Sequence, residues 1–581
     1  MYEILKSINS PQDIKKLSIN ELKELASEAR EAILYRLSCK GGHFGPNLGI
    51  VEATIALHYV FNSPVDKFVF DVSHQSYCHK LLTGRVNAFI NEEDFGNASG
   101  YTNPEESEHD IFNVGHTSTS VSLACGLAKA RDLKCTEENI VAIIGDGSLS
   151  GGEALEGIDF ASELGSNLII VVNDNDMSIA ENHGGLYANL KALRDSKGKC
   201  ECNLFKAFNL DYIYVDEGND IQTLIDAFSS VKDTKRPVVV HINTVKGKGY
   251  EMAEIEKEKY HFFGPFDRKT GESKAPSSES YITVARDYIV RKIESDPLFV
   301  AICAGAPSSI GFDSDLRIKA GAQFVDVGIA EEHAVALASA IATNGAKSLF
   351  GTYSSFIQRT YDQMSQDLCL NNSPAVILVS NASVFGMRDK THIGIFDIPL
   401  LSSIPNLVYL APASSEELTS MLNWAVEQNK HPVAIKMPGG PVCSADYPVD
   451  TDFSNINKYQ ITKTGRDVAI LALGCFYQIG VDLYNDLKEK GINATLINPR
   501  FVTGIDADTL NMLKENHHTF VTIEDGVLEG GFGQKIASFL GSSDAKVYSY
   551  GLKREFIDRY ETSDILYANR LTSEQIIEDI L

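Results

Sequence analysis

Val141-Ala142-Ile143-Ile144-Gly145-Asp146-Gly147-Ser148 and Leu168-Ile169-Ile170-Val171-Val172-Asn173-Asp174-Asn175-Asp176-Met177 are two apolar runs that each break off into small and polar residues. A short, unalternating run rich in Val and Ile reads as a strand buried on both faces, the habit of parallel sheets covered by helices. The polar endings then fall at the carboxyl edge of the sheet, where open α/β sheets bind ligands. Asn175 stands 29 positions after Asp146, the length of one strand-helix-strand unit, which brings both side chains to one crevice. Asp146 and Asn175 are hard oxygen donors of the kind Mg²⁺ takes, and the glycines let backbone N–H groups approach a diphosphate. Alone, Gly145-Asp146-Gly147 reads equally as a turn after a strand.

Working outward, similar runs recur at 237–242, 299–303, 323–327, 375–379, 407–410, 468–473, 494–497 and 520–523. Their alternation with stretches long enough for crossover helices predicts an α/β protein built of largely parallel sheets with helices on both faces. At 581 residues the chain exceeds what one core fills, since cores stop growing near about 250–300 residues. The polar, Gly-, Pro- and Ser-rich stretch 265–280 reads as a linker, and a second boundary falls within 438–458. The expected domains are 1–264, 281–440 and 455–581.

With 52 basic and 78 acidic residues, the net charge is −26, which argues against a nucleic-acid binder. An anionic ligand then needs local Arg, Lys, Mg²⁺ or helix N-termini to hold it. The ten cysteines show no paired metal spacing, only Cys200 and Cys202 being close, and read as reduced thiols of a cytoplasmic protein. The N-terminus, Met1-Tyr2-Glu3-Ile4-Leu5-Lys6, has no signal-peptide pattern, and no run approaches the length of a membrane span. A soluble, unprocessed protein is expected.

Further motifs join the first two: Gly41-Gly42-His43-Phe44-Gly45-Pro46-Asn47-Leu48-Gly49, Asp71-Val72-Ser73-His74-Gln75 and His79-Lys80-Leu81-Leu82-Thr83-Gly84-Arg85. So do Gly115-His116-Thr117-Ser118-Thr119-Ser120, Gly247-Lys248-Gly249-Tyr250-Glu251 and Asp326-Val327-Gly328-Ile329-Ala330-Glu331-Glu332-His333. With these the chain resembles the transketolase-like thiamine diphosphate enzymes and, among them, the 1-deoxy-D-xylulose-5-phosphate synthase family, from about Leu25 into the C-terminal domain.

The resemblance implies a diphosphate-binding domain, a pyrimidine-binding domain and a transketolase-like C-terminal domain, assembled as a homodimer. It implies thiamine diphosphate contacts from His74, Gly115, His116, Thr117, Gly147, Ser148, Asn175 and Tyr250, with Mg²⁺ on Asp146, Asn175 and the Met177 carbonyl. Glu331 is implied at N1′ of the aminopyrimidine, where a carboxylate sharing a proton is required for activation, and Phe356 is implied to stack on that ring. His43, His261 and His392 are implied to face the substrate, where imidazole suits proton transfer near neutral pH. Tyr353, Arg359 and Arg500 are implied to face the substrate too, a guanidinium being the natural partner of phosphate, and Arg388 is a further candidate for the substrate that the family pattern does not supply. Read without the resemblance, Glu331 is a helix-start carboxylate, Phe356 a core aromatic, each histidine a structural residue and Arg500 a surface ion pair.

The implied reaction joins pyruvate to the phosphorylated aldehyde D-glyceraldehyde 3-phosphate with loss of CO₂, giving 1-deoxy-D-xylulose 5-phosphate, a precursor for isoprenoid, thiamine and pyridoxal synthesis. The segment 381–390 departs from the family pattern: an Arg is usual at the position of Asn381 and an Asp near Arg388, which leaves open a phosphate held by Arg388 or Lys390, or a different acceptor. That departure keeps open a paralogue using another donor or aldehyde, and a cofactor-binding regulator is the non-enzyme alternative.

Overall fold

In the computed structural model, which describes residues 2–275 and 279–581, five parallel strands form the first sheet. They are β1 (Lys67–Phe70), β2 (Ile140–Gly145), β3 (Leu168–Asp174), β4 (Asp211–Val215) and β5 (Pro237–Asn243), in the order β1-β2-β3-β5-β4. β2 and β3 are adjacent, with Gly145 opposite Asn173, so Asp146 and Asn175 leave the sheet at the same edge. Every residue of β3 is buried, which accounts for its unbroken apolar run. Met1 and residues 276–278, and with them part of the linker read at 265–280, lie outside the described residues. The earlier part of that stretch is packed: Phe266 is fully buried among Phe44, Tyr250, Tyr260 and Phe263.

The chain divides into two compact units, Met1–Ser277 and Ser278–Leu581. The second holds two sheets. One is six parallel strands, β6 (Phe299–Cys303), β7 (Phe324–Asp326), β8 (Lys347–Tyr353), β9 (Val376–Ala382), β10 (Val408–Leu410) and β11 (Val433–Pro438), ordered β10-β11-β9-β8-β6-β7. The other contains β12 (Gln460–Lys463), β13 (Val468–Ala472), β14 (Ala494–Asn498), β15 (Thr519–Val527) and β16 (Lys546–Leu552), ordered β12-β14-β13-β15-β16, with only β12 antiparallel. One apolar cluster joins the two sheets, containing Ile377 and Ala434 from the first and Leu471, Ile497 and Phe520 from the second.

Of these sixteen strands, six fall outside the apolar runs of the sequence: β1, β4, β8, β11, β12 and β16. β4 is a half-exposed edge carrying Asp211, Tyr212 and Tyr214. β8 starts at Lys347 and carries Gly351, where an added Cβ would come within 2.1 Å of the Ile310 side chain. β11 carries the fully buried Lys436, whose ammonium donates to both oxygens of Asp397 at 2.9 and 2.8 Å. Among the described residues no helix is long and apolar enough to cross a membrane.

Candidate active site

The edge of β2 and β3 presents Asp146, 2% exposed, with its Oδ2 accepting from the Met177 backbone N–H (3.0 Å) and Asn182 Nδ2 (2.9 Å). Burial first, then the neighbouring Asp174 charge, pushes the Asp146 carboxyl up to about 8. Asn175 Oδ1 and Asn182 Oδ1 are buried and accept no hydrogen bond among the described residues. A buried carboxyl displaced toward neutrality beside unsatisfied amide oxygens fits a hard divalent cation, which supplies the missing charge and accepts such oxygens. No group of three or more His, Cys, Asp or Glu among the described residues is arranged for a metal. What this edge offers is one carboxylate with amide and carbonyl oxygens, a mixture that suits a cation shared with phosphate.

Asp174 lies beneath this edge, fully buried. Burial alone would raise its carboxyl, but His241 Nε2 (2.8 Å) and Arg194 Nη1 (2.7 Å) hold it below its ordinary value. Arg194 also pairs with Asp176, and His241 Nδ1 meets the Tyr212 hydroxyl at 2.9 Å. Lys246 follows β5 at the same edge; burial pulls its ammonium down to about 7, and it donates to the Ser178 carbonyl.

Asp71, at the end of β1, accepts from the Ser118 and Ser120 N–H groups at 2.8 and 2.9 Å. Ser118 Oγ in turn donates to the Ser148 carbonyl at 2.8 Å. The loop with Gly115, His116 and Thr117 is thereby fastened beside Gly147 and Ser148. A Cβ at Gly147 would lie 2.7 Å from Ser178 Oγ and 3.0 Å from Ser178 Cβ, so any side chain there has to displace Ser178.

Gly42–His43 pairs antiparallel with Phe262–Phe263, His43 opposite Phe262, which sets His43 beside His261. The ring centroids of His43 and His74 are 5.0 Å apart, and each is 5.6 Å from that of His261. Burial, then the charges of Lys246 and His74, hold His261 well below the usual imidazole range. Asn47, fully buried, donates from Nδ2 to the His43 carbonyl (2.8 Å) and the His74 carbonyl (2.6 Å) while accepting from Tyr77 N–H (2.9 Å). Tyr250 packs instead among Phe44, Tyr260 and Phe266, its hydroxyl donating to the Arg268 carbonyl at 3.2 Å.

In the second unit, Glu331 opens the helix Glu331–Thr343 and is 3% exposed. Burial raises its carboxyl to about 7, with Arg359 opposing the shift from 3.7 Å. Phe356 contacts the rings of Tyr353 (5.7 Å) and His392 (5.5 Å) edge to face, and the Tyr353 hydroxyl meets Ser308 Oγ at 2.9 Å. His392 Nδ1 lies 3.1 Å from Asp389 Oδ1. Arg388 is half exposed and reaches Glu561 at 3.4 Å. Arg500 is buried, paired with Asp450, bonded to the Lys458 carbonyl (2.6 Å) and stacked on Phe453. These contacts of Arg388 and Arg500 do not involve Glu331, Tyr353, Phe356 or His392.

The family model described as 1-deoxy-D-xylulose-5-phosphate synthase matches residues 5–201. The pyrimidine binding domain of transketolase matches 280–442, and the transketolase C-terminal domain matches 457–576. The chain is 38% identical to a 1-deoxy-D-xylulose-5-phosphate synthase of Clostridium acetobutylicum, over 98% of this chain and 97% of the relative. The chain belongs to the 1-deoxy-D-xylulose-5-phosphate synthase family. Similar synthases occur in Alkaliphilus oremlandii (38% identical over 100% of this chain and 99% of the relative) and Listeria monocytogenes serotype 4b (37%, 99% and 96%).

As a member of this synthase family the chain is a transketolase-type transferase that works with thiamine diphosphate and a divalent metal. Three features of the synthase site escaped the sequence reading. Lys246 was hidden in a glycine-rich turn, although its position just past a strand at the ligand-binding edge was a usable signal. Asn47 lay inside a quoted motif without a role, and the Asp174-Arg194-His241 network depends on contacts that no local spacing announces.

Proposed function

We propose that the chain condenses pyruvate with D-glyceraldehyde 3-phosphate, releasing CO₂ and forming 1-deoxy-D-xylulose 5-phosphate. The observation that carries the reading is Glu331: a carboxyl raised to about 7 by burial keeps a proton to share with a ring nitrogen at neutral pH. Thiamine diphosphate supplies, when bound, a nucleophilic carbon that adds to a ketone and accepts the electron pair left as CO₂ departs.

The protein's part is binding, orientation and proton handling. Asp146, Asn175 and the Met177 carbonyl hold the metal, which we take to be Mg²⁺ because the donors are all hard oxygens. His74, Gly115, His116, Thr117, Gly147 and Ser148 form the binding surface for the cofactor in the first unit, whereas Tyr250 packs behind it among Phe44, Tyr260 and Phe266, and Lys246, its ammonium pulled down to about 7 by burial, adds a donor at the same edge. In the second unit Glu331 holds its proton toward N1′, and Phe356 offers a ring to stack on. His43 and His261, kept neutral by burial in the case of His261, accept or return protons at substrate oxygens, as does His392 from the loop that carries it. Tyr353 and Arg359 complete the substrate contacts. A homodimer and a cytoplasmic location belong to the same reading, the latter supported by ten free cysteines.

A second reading changes only the acceptor. Arg388 is turned toward Glu561 and Arg500 toward Asp450, and Asn381 replaces a usual Arg, which favours an aldehyde without a phosphate. Incubation with thiamine diphosphate, Mg²⁺, pyruvate and each aldehyde in turn, with the product identified by NMR, decides between them. Absence of CO₂ release from pyruvate with every aldehyde would overturn both.

A further inference from the structure

Residues 384–393 form an excursion between β9 and the helix Asp397–Ser402, closed at its neck by the Ser383 N–H donating to the Gly394 carbonyl (2.7 Å). Asn381 and Ser383 take left-handed φ values of 51° and 75° to enter it. Asp389 orders its far end, accepting from Thr391 N–H (3.1 Å) and meeting His392 Nδ1 (3.1 Å). His392 thus stands against Phe356 two residues before the neck, on a loop without helix or strand of its own, and the path of the stretch 384–390 that leads to it is held from outside the loop.

Four consecutive residues of the C-terminal region do so. The Tyr560 hydroxyl, on a buried side chain, donates to the Val384 carbonyl (2.9 Å). The Arg559 N–H, from a left-handed residue of φ 46°, donates to the Arg388 carbonyl (2.7 Å). Asp558 Oδ1 accepts from Lys390 N–H (3.2 Å), and Glu561 pairs with the Arg388 guanidinium (3.4 Å). Three of these ties act on the backbone of the loop, so they set its path whatever its side chains are, and the fourth restrains the one arginine that departs from the family pattern.

We propose that the segment 558–561 is a positioning element for the acceptor aldehyde, fixing through the backbone of 384–390 where His392 stands against Phe356. This rests on the reading above that the 381–392 segment faces the acceptor. It assigns acceptor handling partly to residues that touch no substrate, and it places Tyr560 and Asp558 among the positioning residues.

The test uses the full-length protein loaded with thiamine diphosphate and Mg²⁺, with the best aldehyde of the wild type. Tyr560→Phe removes the hydroxyl and keeps the ring, and Asp558→Asn weakens the acceptor for Lys390. Loss of one such bond is expected to raise KM for the aldehyde about fivefold while KM for pyruvate stays within about twofold. Amide exchange across 384–393 should quicken in Tyr560→Phe. Quickened exchange with an unchanged aldehyde KM overturns the proposal, as does an equal rise in both KM values. Should Tyr560→Phe fail to fold, Asp558→Asn, at a position less buried than Tyr560, carries the test. Failure of the reaction assignment shows separately, as a wild type that forms no product from any aldehyde.

Discussion

Glu331 and Arg359 face each other at 3.7 Å with side chains 4% and 15% exposed, yet the cation does not offset burial: the carboxyl remains raised from 4.5 to about 7. The folded chain keeps this proton where the unfolded chain releases it, so folding takes up a proton between those two values. The contribution of Glu331 to stability is therefore full below pH 4.5 and lost as pH rises through about 7. In Glu331→Gln this loss disappears. The unfolding free energy of the variant relative to wild type should swing in its favour by ~3 kcal/mol between acid and mildly alkaline pH. Denaturant unfolding of the cofactor-free proteins at both ends of the window measures the swing, and a difference that stays flat contradicts the buried-acid assignment. Turnover of the same variant should fall at least ~100-fold, since an amide cannot share the proton.

Asp146→Asn tests the metal cradle by binding rather than by turnover. The variant keeps the acceptor for Met177 N–H and loses the only carboxylate among the proposed ligands. Calorimetric titration should show thiamine diphosphate affinity in Mg²⁺ falling by roughly 100-fold, with little gain over metal-free buffer. Folding should be unimpaired, because the change removes a buried carboxyl that burial disfavours. Metal-supported binding equal to wild type would exclude Asp146 as a ligand.

Legibility in the sequence followed burial. β2, β3 and β5 were readable because both of their faces are covered and each opens on an apolar run, 140–144, 168–172 and 237–240. β11 was not, because its Lys436 is neutralised by Asp397, a partner 39 positions away, and β4 was not, because an edge strand tolerates Asp211 and two tyrosines. The Asp146 and Asn175 pair was readable because adjacent parallel strands end together. The roles of Glu331, Phe356 and the histidines came from the family resemblance. Asn47 looked like any loop amide, since its bonds to the His43 and His74 carbonyls join segments 27 residues apart, a relation that only the folded chain reveals.

That double bond of Asn47 makes a prediction about the imidazole cluster. Asn47→Ala strands two carbonyls and the Tyr77 N–H in a dry setting, at a cost of about 2–4 kcal/mol. Asn47→Asp keeps the acceptor for Tyr77 but sets a carboxylate against two carbonyl oxygens and should be at least as destabilising. If the amide also aligns His43 with His74, kcat of Asn47→Ala drops at saturating cofactor and substrates in the fraction that is folded. A fall in melting temperature with kcat per folded molecule unchanged would reduce Asn47 to a packing role.

Arg500 gives the sharpest separation between the two acceptor readings. Its guanidinium is committed to Asp450 and the Lys458 carbonyl and lies over Phe453, and its backbone holds φ 64°. Those ties bind the stretch 439–459, which has no helix or strand, to the end of β14. Arg500→Ala should therefore lower stability by about 1–2 kcal/mol, leaving the part-buried Lys458 carbonyl unmet and a gap over Phe453. Arg500→Lys should recover only part of this, since an ammonium cannot reproduce the planar fork. KM for a phosphorylated aldehyde should change no more than KM for an unphosphorylated one. An arginine that grips substrate phosphate behaves in the opposite way, leaving the melting temperature nearly intact while the phosphorylated aldehyde alone loses affinity. Thermal melts paired with KM for both aldehydes distinguish these patterns, and the second pattern would return Arg500 to the phosphate role that the family resemblance implies.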